Sequence, residues 1–445
     1  MTTDTAATPS SRALGKQVAA LAVPAFATLV TEPLMVMVDA AVVGHVSTES
    51  LAGLGIAANV MTLLAGLCVF LAYGTTATVA RRLGFGDSAG ALAAGRDGLA
   101  LGAILGAVLA TTLALLSPVV VGWYGAAPTV TAEALTYLRI SCWGLFPLLI
   151  MMAATGVLRG LQDTRTPLYV AVVINLLNAG LSIGLVHGVG MGIAGAALGT
   201  VIAQALGATT LVVVVVRGAR KQGTRLRPAL HGIVAAARLG GWLVLRTACL
   251  QGAVTMTTVV ATGLGTVALA AHQVTNSVWF LLAMALDAIA IAAQAIIGHH
   301  LGAGQVAVVR KLTVRMVQWG VVAGIVFGAL LALLHPLYAG LFSPDPAVQA
   351  LVGQVLVVVA VLAPINAVVF VLDGVLIGAG DARYLALAQL IALASYVPLA
   401  LIVAGTGAGL VWLWIAYGCF MVARMLTLAV RIRQSAWLRI GRDTT

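Results

Sequence analysis

The sequence carries little charge: 8% of its 445 residues are Asp, Glu, Lys or Arg, and only 13 are acidic. Soluble globular domains carry about a quarter charged residues, so this composition excludes an ordinary water-soluble fold. Cysteine is also scarce. Cys68, Cys142, Cys249 and Cys419 stand singly within apolar segments, a pattern that fits neither a disulfide framework nor a metal-binding spacing.

Motifs for nucleotide hydrolysis and zinc chemistry are missing as well. The chain contains no Gly-x-x-x-x-Gly-Lys-Ser/Thr loop and no His-Glu-x-x-His, so ATP-driven transport and metalloprotease chemistry are not expected. We therefore predict no enzymatic activity, no catalytic residues, no metal site and no cofactor. The polar first seventeen residues lack the compact apolar stretch and cleavage site of a removable signal peptide.

Long apolar runs make up most of the chain, which is 61% hydrophobic with a mean hydropathy of +1.09. Runs of about 20 residues can cross a hydrocarbon core of roughly 30 Å as helices. The sequence therefore predicts an all-α integral membrane protein with twelve transmembrane helices. Their predicted positions are 18–43, 52–80, 97–117, 131–157, 168–187, 192–216, 240–264, 268–298, 312–334, 347–377, 384–403 and 409–431.

The net charge of +11 is distributed unevenly between the two sides of these helices. Lys and Arg cluster in the connections on one side, most densely at 217–238, whereas the opposite connections contain neither residue type. The positive-inside rule then predicts a multi-pass protein of the cell membrane with both termini in the cytoplasm. Because orientation in the lipid bilayer explains the basic residues, we expect no nucleic-acid partner.

Two segments of the first half recur in the second half at one fixed offset. Leu83-Gly84-Phe85-Gly86 corresponds to Leu301-Gly302-Ala303-Gly304, and the segment 157–165 corresponds to 375–383 in the same register. Each repeat contains six predicted helices, so both halves enter the membrane from the same side and form parallel repeats. We expect these repeats to surround a central cleft that opens alternately to the two sides, which is the behaviour of a transporter.

The repeat suggests a division of the chain into two lobes joined by a basic linker. We expect the acidic and basic residues of the repeated loops, Asp163 with Arg165 and Asp381 with Arg383, to cap helices and pair. The predicted segments are a cytoplasmic tail at 1–17, an amino-terminal lobe at 18–216, the linker at 217–238, a carboxy-terminal lobe at 239–432 and a cytoplasmic tail at 433–445.

Four carboxylates lie within predicted membrane helices, outside their first and last turns: Glu32, Asp39, Asp287 and Asp373. A charged residue at the bilayer centre costs about 2.5–3.5 kcal/mol, which makes each a candidate for function. Glu32 and Asp39 are seven residues apart, so they lie two turns apart on nearly the same helix face. Pro33 is expected to bend the helix between them. Asp39 is our first candidate for a proton-carrying group, and Asp373 is expected to be structural.

A second candidate site is a polar and aromatic stripe along the eighth predicted helix. Stripes of this kind face protein or water rather than lipid. We interpret the stripe as part of the substrate cleft, where Asp287 could attract a cationic compound or bridge two helices. Its residues are Gln273, Asn276, Phe280, Asp287 and Gln294.

Four blocks of the sequence resemble the multidrug and toxic compound extrusion (MATE) family, in particular its DNA-damage-inducible F branch. The resemblance covers roughly residues 14–432 and implies a two-lobed antiporter that expels cationic or amphipathic small molecules in exchange for protons or sodium ions. The blocks are Glu32-Pro33-Leu34 with Val38-Asp39-Ala40, the segment 158–167, Ala271-His272-Gln273 with Ala292-Ala293-Gln294, and Asp373-Gly374-Val375-Leu376.

The resemblance also implies which residues surround Asp39. In the family, this aspartate pairs with polar residues that correspond to Asn178, Ser182 and Thr200, and Asn175 lies close to them in sequence. Many relatives have an aspartate where this chain has Ser182. A single carboxylate favours protons as the coupling ion.

Two alternatives to a proton-coupled exporter remain open from the sequence. Sodium coupling is disfavoured because Gln251 and Asn366 occupy the positions that correspond to the acidic sodium site of relatives, and neither side chain carries charge. A flippase for lipids or lipid-linked precursors could share the two-lobed architecture. A pyrophosphate headgroup would require several basic residues in the cleft, and the helices contain few. The expected oligomeric state is a monomer.

Overall fold

The computed structural model describes residues 11–224, 227–342 and 344–441, without the side chains of 11–13, 335–339 and 341–342. The predicted tails and linker therefore fall partly outside the described residues, at 1–10, 225–226 and 442–445. The α-helices of the described part are α1 (Ser11–Gly44), α2 (Thr48–Cys68), α3 (Phe70–Gly84), α4 (Ser88–Gly122), α5 (Pro128–Ser141), α6 (Leu145–Gly160), α7 (Arg165–Ile183), α8 (Ile193–Lys221), α9 (Leu230–Gly263), α10 (Thr266–Gly302), α11 (Val306–Phe342), α12 (Pro346–Gly378), α13 (Ala382–Thr406) and α14 (Leu410–Arg433).

These helices confirm the predicted all-α membrane fold, because the described residues form 12 spans long and apolar enough to cross a membrane. Two spans are interrupted. Val69 separates α2 from α3, and a 3₁₀ turn at Cys142–Gly144 separates α5 from α6. The helices run several residues beyond the predicted apolar segments, because polar residues outside the hydrocarbon also adopt helical structure.

The chain divides into two compact units. The amino-terminal unit is Val23–Gly240, and the carboxy-terminal unit joins the chain up to Ala22 to the chain from Gly241 onward. Helix α1 therefore contributes to both units, with Gly15 close to the Trp319 ring of α11 in the carboxy-terminal unit. The lobe boundaries expected from the sequence remain a prediction.

Glycine contacts between helices repeat in the register of the two sequence repeats. A Cβ atom at Gly156 of α6 would lie 2.5 Å from the Ala72 carbonyl oxygen of α3, and one at Gly374 of α12 would lie 2.3 Å from the Ala290 carbonyl oxygen of α10. Small residues let helix backbones approach closely in membranes. The two units therefore build corresponding helix crossings from corresponding residues.

The repeated loops adopt the same backbone geometry. Gln162 has a φ of 63° and its counterpart Gly380 a φ of 73°. The next residue, Asp163 or Asp381, donates its backbone N–H to the carbonyl oxygen of Leu158 or Leu376, which correspond to each other in the two repeats. Glycine adopts this left-handed conformation without the steric cost that Gln162 carries.

The aspartates of these loops differ in their partners: Asp163 caps a helix as expected, and Asp381 pairs with a different arginine from the one expected. Asp163 Oδ1 accepts the backbone N–H of Thr166 at 3.0 Å and that of Arg165 at 3.1 Å, so it caps the start of α7. Asp381 Oδ2 instead accepts Arg431 Nε of α14 at 2.6 Å. The expected pair of Asp381 with its neighbour Arg383 does not form. The Arg383 guanidinium lies over the Trp242 ring instead.

Candidate functional site

Asp39 lies in α1 of the amino-terminal unit and is buried, with 3% of its surface exposed. Two prolines, Pro24 and Pro33, lie inside this helix. Near Pro33, Asn175 Nδ2 of α7 donates to the Thr31 carbonyl oxygen at 3.0 Å. This bond ties α7 to α1 two turns before Asp39. The predicted site residue Asn175 thus positions α1 rather than contacting the carboxylate.

Three neutral side chains donate hydrogen bonds to the Asp39 carboxylate. Asn178 Nδ2 and Ser182 Oγ, both of α7, donate to Oδ1 at 3.1 and 3.0 Å. Thr200 Oγ1 of α8 donates to Oδ2 at 3.0 Å. Each of the three donors is buried. The structure therefore brings together Asp39 and the three polar residues that the family resemblance associates with it.

A close approach between α7 and α8 makes this cluster possible. Gly199 precedes Thr200, and a Cβ atom at Gly199 would lie 3.1 Å from Ser182 N and 3.2 Å from Ser182 Oγ. The π-helical turn Gly184–Gly188 begins just after Ser182, and π turns inside helices are frequent at functional sites. A larger residue at Gly199 would push α8 away from the carboxylate.

Tyr137 of α5 is a member of this site that our sequence reading missed. Its side chain is buried, with 6% exposed, and it lies close to Thr200 and Asp39. Tyrosine usually finds a hydrogen-bond partner when it is buried. A tyrosine inside a predicted span therefore indicates a nearby polar group, and this was the sequence feature that could have identified Tyr137.

Glu32 is placed differently from Asp39 although the two residues share α1. Its side chain is exposed, whereas that of Asp39 is buried. None of the hydrogen bonds found in the described residues joins Glu32 to the Asp39 cluster. A role for Glu32 in coupling therefore stays a prediction without a contact to support it.

The positions equivalent to Asp39 and Asn178 in the second repeat hold a neutral pair. Thr257 and Tyr396 occupy them, and their side-chain oxygens are 2.6 Å apart in the buried interior of the carboxy-terminal unit. Aromatic residues surround this pair, since the Tyr396 ring lies 6.0 Å from Tyr417 and 5.8 Å from Phe420. The repeat thus preserves the helix positions but replaces the carboxylate and amide by a hydroxyl pair.

Asp373 lies between two arginines in the carboxy-terminal unit. Arg246 Nη2 of α9 donates to Asp373 Oδ2 at 2.7 Å, and Arg424 Nη2 of α14 donates to the same oxygen. All three side chains are at most 10% exposed. The triad joins three helices, consistent with the structural role we expected for Asp373, which stays a prediction.

The polar stripe of the eighth span lies on α10, with unequal accessibility along its length. Gln273 and Phe280 are exposed, Asn276 and Asp287 are half-buried, and Gln294 is buried. Gln294 lies at a close helix crossing, because a Cβ atom at Gly378 would be 2.5 Å from its carbonyl oxygen. The end of the stripe therefore packs against α12, and a substrate role for its other residues stays a prediction.

Gln251 and Asn366, the positions considered for a sodium site, have different environments. Gln251 is exposed. Asn366 is fully buried, and neither of its amide atoms has a hydrogen-bond partner among the described residues. No group of three or more His, Cys, Asp or Glu residues that could hold a metal ion occurs in the described part of the chain.

Comparison with known proteins agrees with this geometry. The MatE family model matches residues 24–184 and 243–402, most of both units. The chain is 30% identical to Protein DETOXIFICATION 44, chloroplastic, of Arabidopsis thaliana, over 96% of this chain and 84% of that protein. It is 29% identical to DNA damage-inducible protein F of Escherichia coli, over 96% and 92%.

Solved structures show the same fold. The crystal structure of the Vibrio cholerae MATE transporter VcmN in the bent form superposes with a TM-score of 0.86 at 23% identity, covering 95% of this chain and 98% of that one. The family resemblance seen in the sequence is thereby confirmed. The chain belongs to the MatE family, whose members are multi-pass multidrug efflux transporters and not enzymes.

Proposed function

We propose that this protein is a secondary antiporter that exports small organic compounds, cationic or amphipathic in character, in exchange for protons that bind to Asp39. The observation that carries the proposal is that Asp39 is a buried carboxylate whose hydrogen-bond partners among the described residues are all neutral donors. The cargo class follows the family, whose members are multidrug efflux transporters.

The other buried carboxylates of the described residues are neutralised by arginine. Asp97 forms an ion pair with Arg96 at 2.7 Å, and Asp373 is bound by Arg246 and Arg424. An arginine partner keeps a carboxylate charged and opposes protonation. Asp39 has no such partner in the described part of the chain, so the binding and release of a proton there changes the net charge of its surroundings.

The hydrogen bonds around Asp39 suit both of its protonation states. Thr200 has one hydroxyl hydrogen, yet its Oγ1 lies 3.0 Å from Asp39 Oδ2 and 3.1 Å from the Ala196 carbonyl oxygen. When Asp39 is charged, Thr200 donates to the carboxylate. When Asp39 is protonated, it can donate to Thr200 while Thr200 donates to Ala196, so protonation requires no buried group to lose its partner.

The same geometry supports protons over sodium ions. Donor hydrogens from three side chains already point at the two Asp39 oxygens, and a sodium ion would have to displace them to reach the carboxylate. A proton adds to an oxygen without this rearrangement. The positive-inside pattern supports a cell-membrane location with both termini in the cytoplasm.

The test is gradient-driven export from proteoliposomes that contain the purified protein and ethidium, a fluorescent organic cation. An imposed proton gradient should drive export, and an imposed sodium gradient at equal pH should not. Asp39→Asn should abolish the driven flux. Glu49→Gln, which removes an exposed carboxylate of the same unit, serves as the matched control and should transport normally. Export by Asp39→Asn at the wild-type rate, or export driven by sodium alone, would refute the coupling mechanism.

A further inference from the structure

We propose that the end of α8, the start of α9 and Arg227 between them form a docking surface for anionic phospholipid headgroups. The surface consists of two groups of residues from the amino-terminal unit. One group is basic and the other is apolar, and both are accessible. The basic residues are Arg217, Arg220, Lys221, Arg227 and Arg238, and the apolar residues are Leu230 and Val234.

The basic residues of this surface are not neutralised by the protein. Each of the five is exposed, and none of their side chains has a hydrogen bond or ion pair among the described residues. The sequence from 217 to 240 contains no Asp or Glu at all. Each Lys or Arg held near an anionic bilayer strengthens binding to it, and clusters of four to eight such residues beside a membrane helix typically recognise anionic lipids.

The lengths of the helices place these residues at the level of the headgroups. Helix α8 has 29 residues and α9 has 34. At 1.5 Å per residue, they are roughly 43 and 51 Å long, whereas the hydrocarbon core is about 30 Å thick. Both helices must therefore extend beyond the core. The polar ends of the two helices are the ends that extend, and these ends carry the basic residues.

Exposed apolar residues of α9 border the basic residues of this surface. Leu230 is 77% exposed and Val234 is 50% exposed, and with Arg238 they form an i, i+4, i+8 line on one face of α9. An apolar face bordered by basic residues is typical of segments that lie in the interface of a bilayer. This combination favours a lipid surface over a soluble polyanion, because a polyanion would make no apolar contact with the exposed Leu and Val.

Buried contacts hold the surface in place. Asp97 of α4 accepts the backbone N–H of Ala229 at 3.0 Å, directly before α9 begins. A Cβ atom at Gly232 would lie 2.0 Å from Asp97 Oδ2, so a larger residue there would displace the Asp97 side chain. At the other end, Gly223 has a φ of 65° and terminates α8. The end of α8 and the start of α9, which carry most of the basic side chains, are thus each anchored.

The test measures binding of soluble dioctanoyl phosphatidylglycerol to the purified full-length protein in neutral detergent by microscale thermophoresis. Dioctanoyl phosphatidylcholine and inorganic phosphate are the comparison ligands. The patch variant Arg220→Gln/Lys221→Gln/Arg227→Gln removes three charges from the surface. The control variant Lys16→Gln/Arg310→Gln/Arg433→Gln removes three exposed charges from three separate helices. Size-exclusion profiles verify that both variants remain folded.

We expect the patch variant to bind phosphatidylglycerol at least ten-fold more weakly than wild type, since one basic residue near an anionic surface contributes roughly five-fold. The control variant should stay within about two-fold. Leu230→Ser/Val234→Ser, which leaves the charge unchanged, should also weaken lipid binding. Equal losses in the patch and control variants would mean that overall charge binds the lipid, and phosphate binding as tight as that of phosphatidylglycerol would indicate a simple anion site. Either result overturns the proposal.

Discussion

Removing the negative charge of Asp373 should destabilise the protein more than removing one of its arginine partners. In Asp373→Asn, Arg246 and Arg424 lose the oxygen that both of them bind. Two buried guanidinium groups then lie close together without the Asp373 charge that both of them bind. The arginine side chains are only 10% and 4% exposed, and that of Asp373 is 5% exposed, so water can screen little of this repulsion.

The expected magnitude follows from the cost of leaving a buried charge without its partner. Breaking a buried ion pair by removing one member typically costs about 3–5 kcal/mol, and we expect Asp373→Asn to lose at least this amount. Arg424→Met leaves Arg246 and Asp373 as a one-to-one pair, and methionine fills much of the arginine's volume. Its expected loss is below about 2 kcal/mol.

Equilibrium unfolding in mixed detergent–SDS micelles, followed by tryptophan fluorescence, measures both variants against wild type. Glu49→Gln removes an exposed carboxylate and should unfold with the wild-type midpoint. The reasoning fails if Asp373→Asn lies within about 1 kcal/mol of wild type, or if Arg424→Met is the more damaging change.

Three further predictions concern the Asp39 site and the repeat. Gly199→Ala should reduce driven export severalfold, because its Cβ atom would press on Ser182, while Gly180→Ala, at a position with open space around it, should transport normally in the same proteoliposome assay. Binding of ethidium to the wild-type protein should release protons into a weakly buffered solution containing a pH indicator, and Asp39→Asn should release none. Gln162→Gly should raise the free energy of unfolding by up to about 1 kcal/mol, because it relieves a left-handed backbone; an unchanged midpoint would contradict this.

Much of the Asp39 site could be predicted before the structure. A carboxylate inside an apolar run is conspicuous because of its cost in lipid, and the family resemblance indicated Asn178, Ser182 and Thr200. Spacing along one helix does not predict burial, since Glu32 shares a helix with Asp39 but is exposed while Asp39 is buried. Helical periodicity places residues on a face, and it does not say which part of that face a neighbouring helix covers.

The sequence repeat also relates residues that lie outside its two visible motifs. The loop matches at 83–86 and 157–165 are visible in the sequence, whereas the glycines at 156 and 374, which set the helix crossings, look like any other helix glycine. A glycine in a membrane helix is too common to single out until the helix that packs on it is known. Thr257 and Tyr396 are the repeat equivalents of Asp39 and Asn178. This neutral pair is likewise recognised only from the repeat register together with its 2.6 Å contact.

The sequence by itself determined that the chain is embedded in a bilayer, how many times it crosses the bilayer and that its two halves are sequence repeats. These properties follow from hydropathy summed over about 20 residues, from the distribution of Lys and Arg and from a fixed offset, and none depends on which helices touch. Only the tertiary structure decided which buried acids are neutralised. Asp373 meets two arginines from distant helices and Asp39 meets three neutral donors, because the electrostatic surroundings of a carboxylate are set by contacts between helices far apart in the chain.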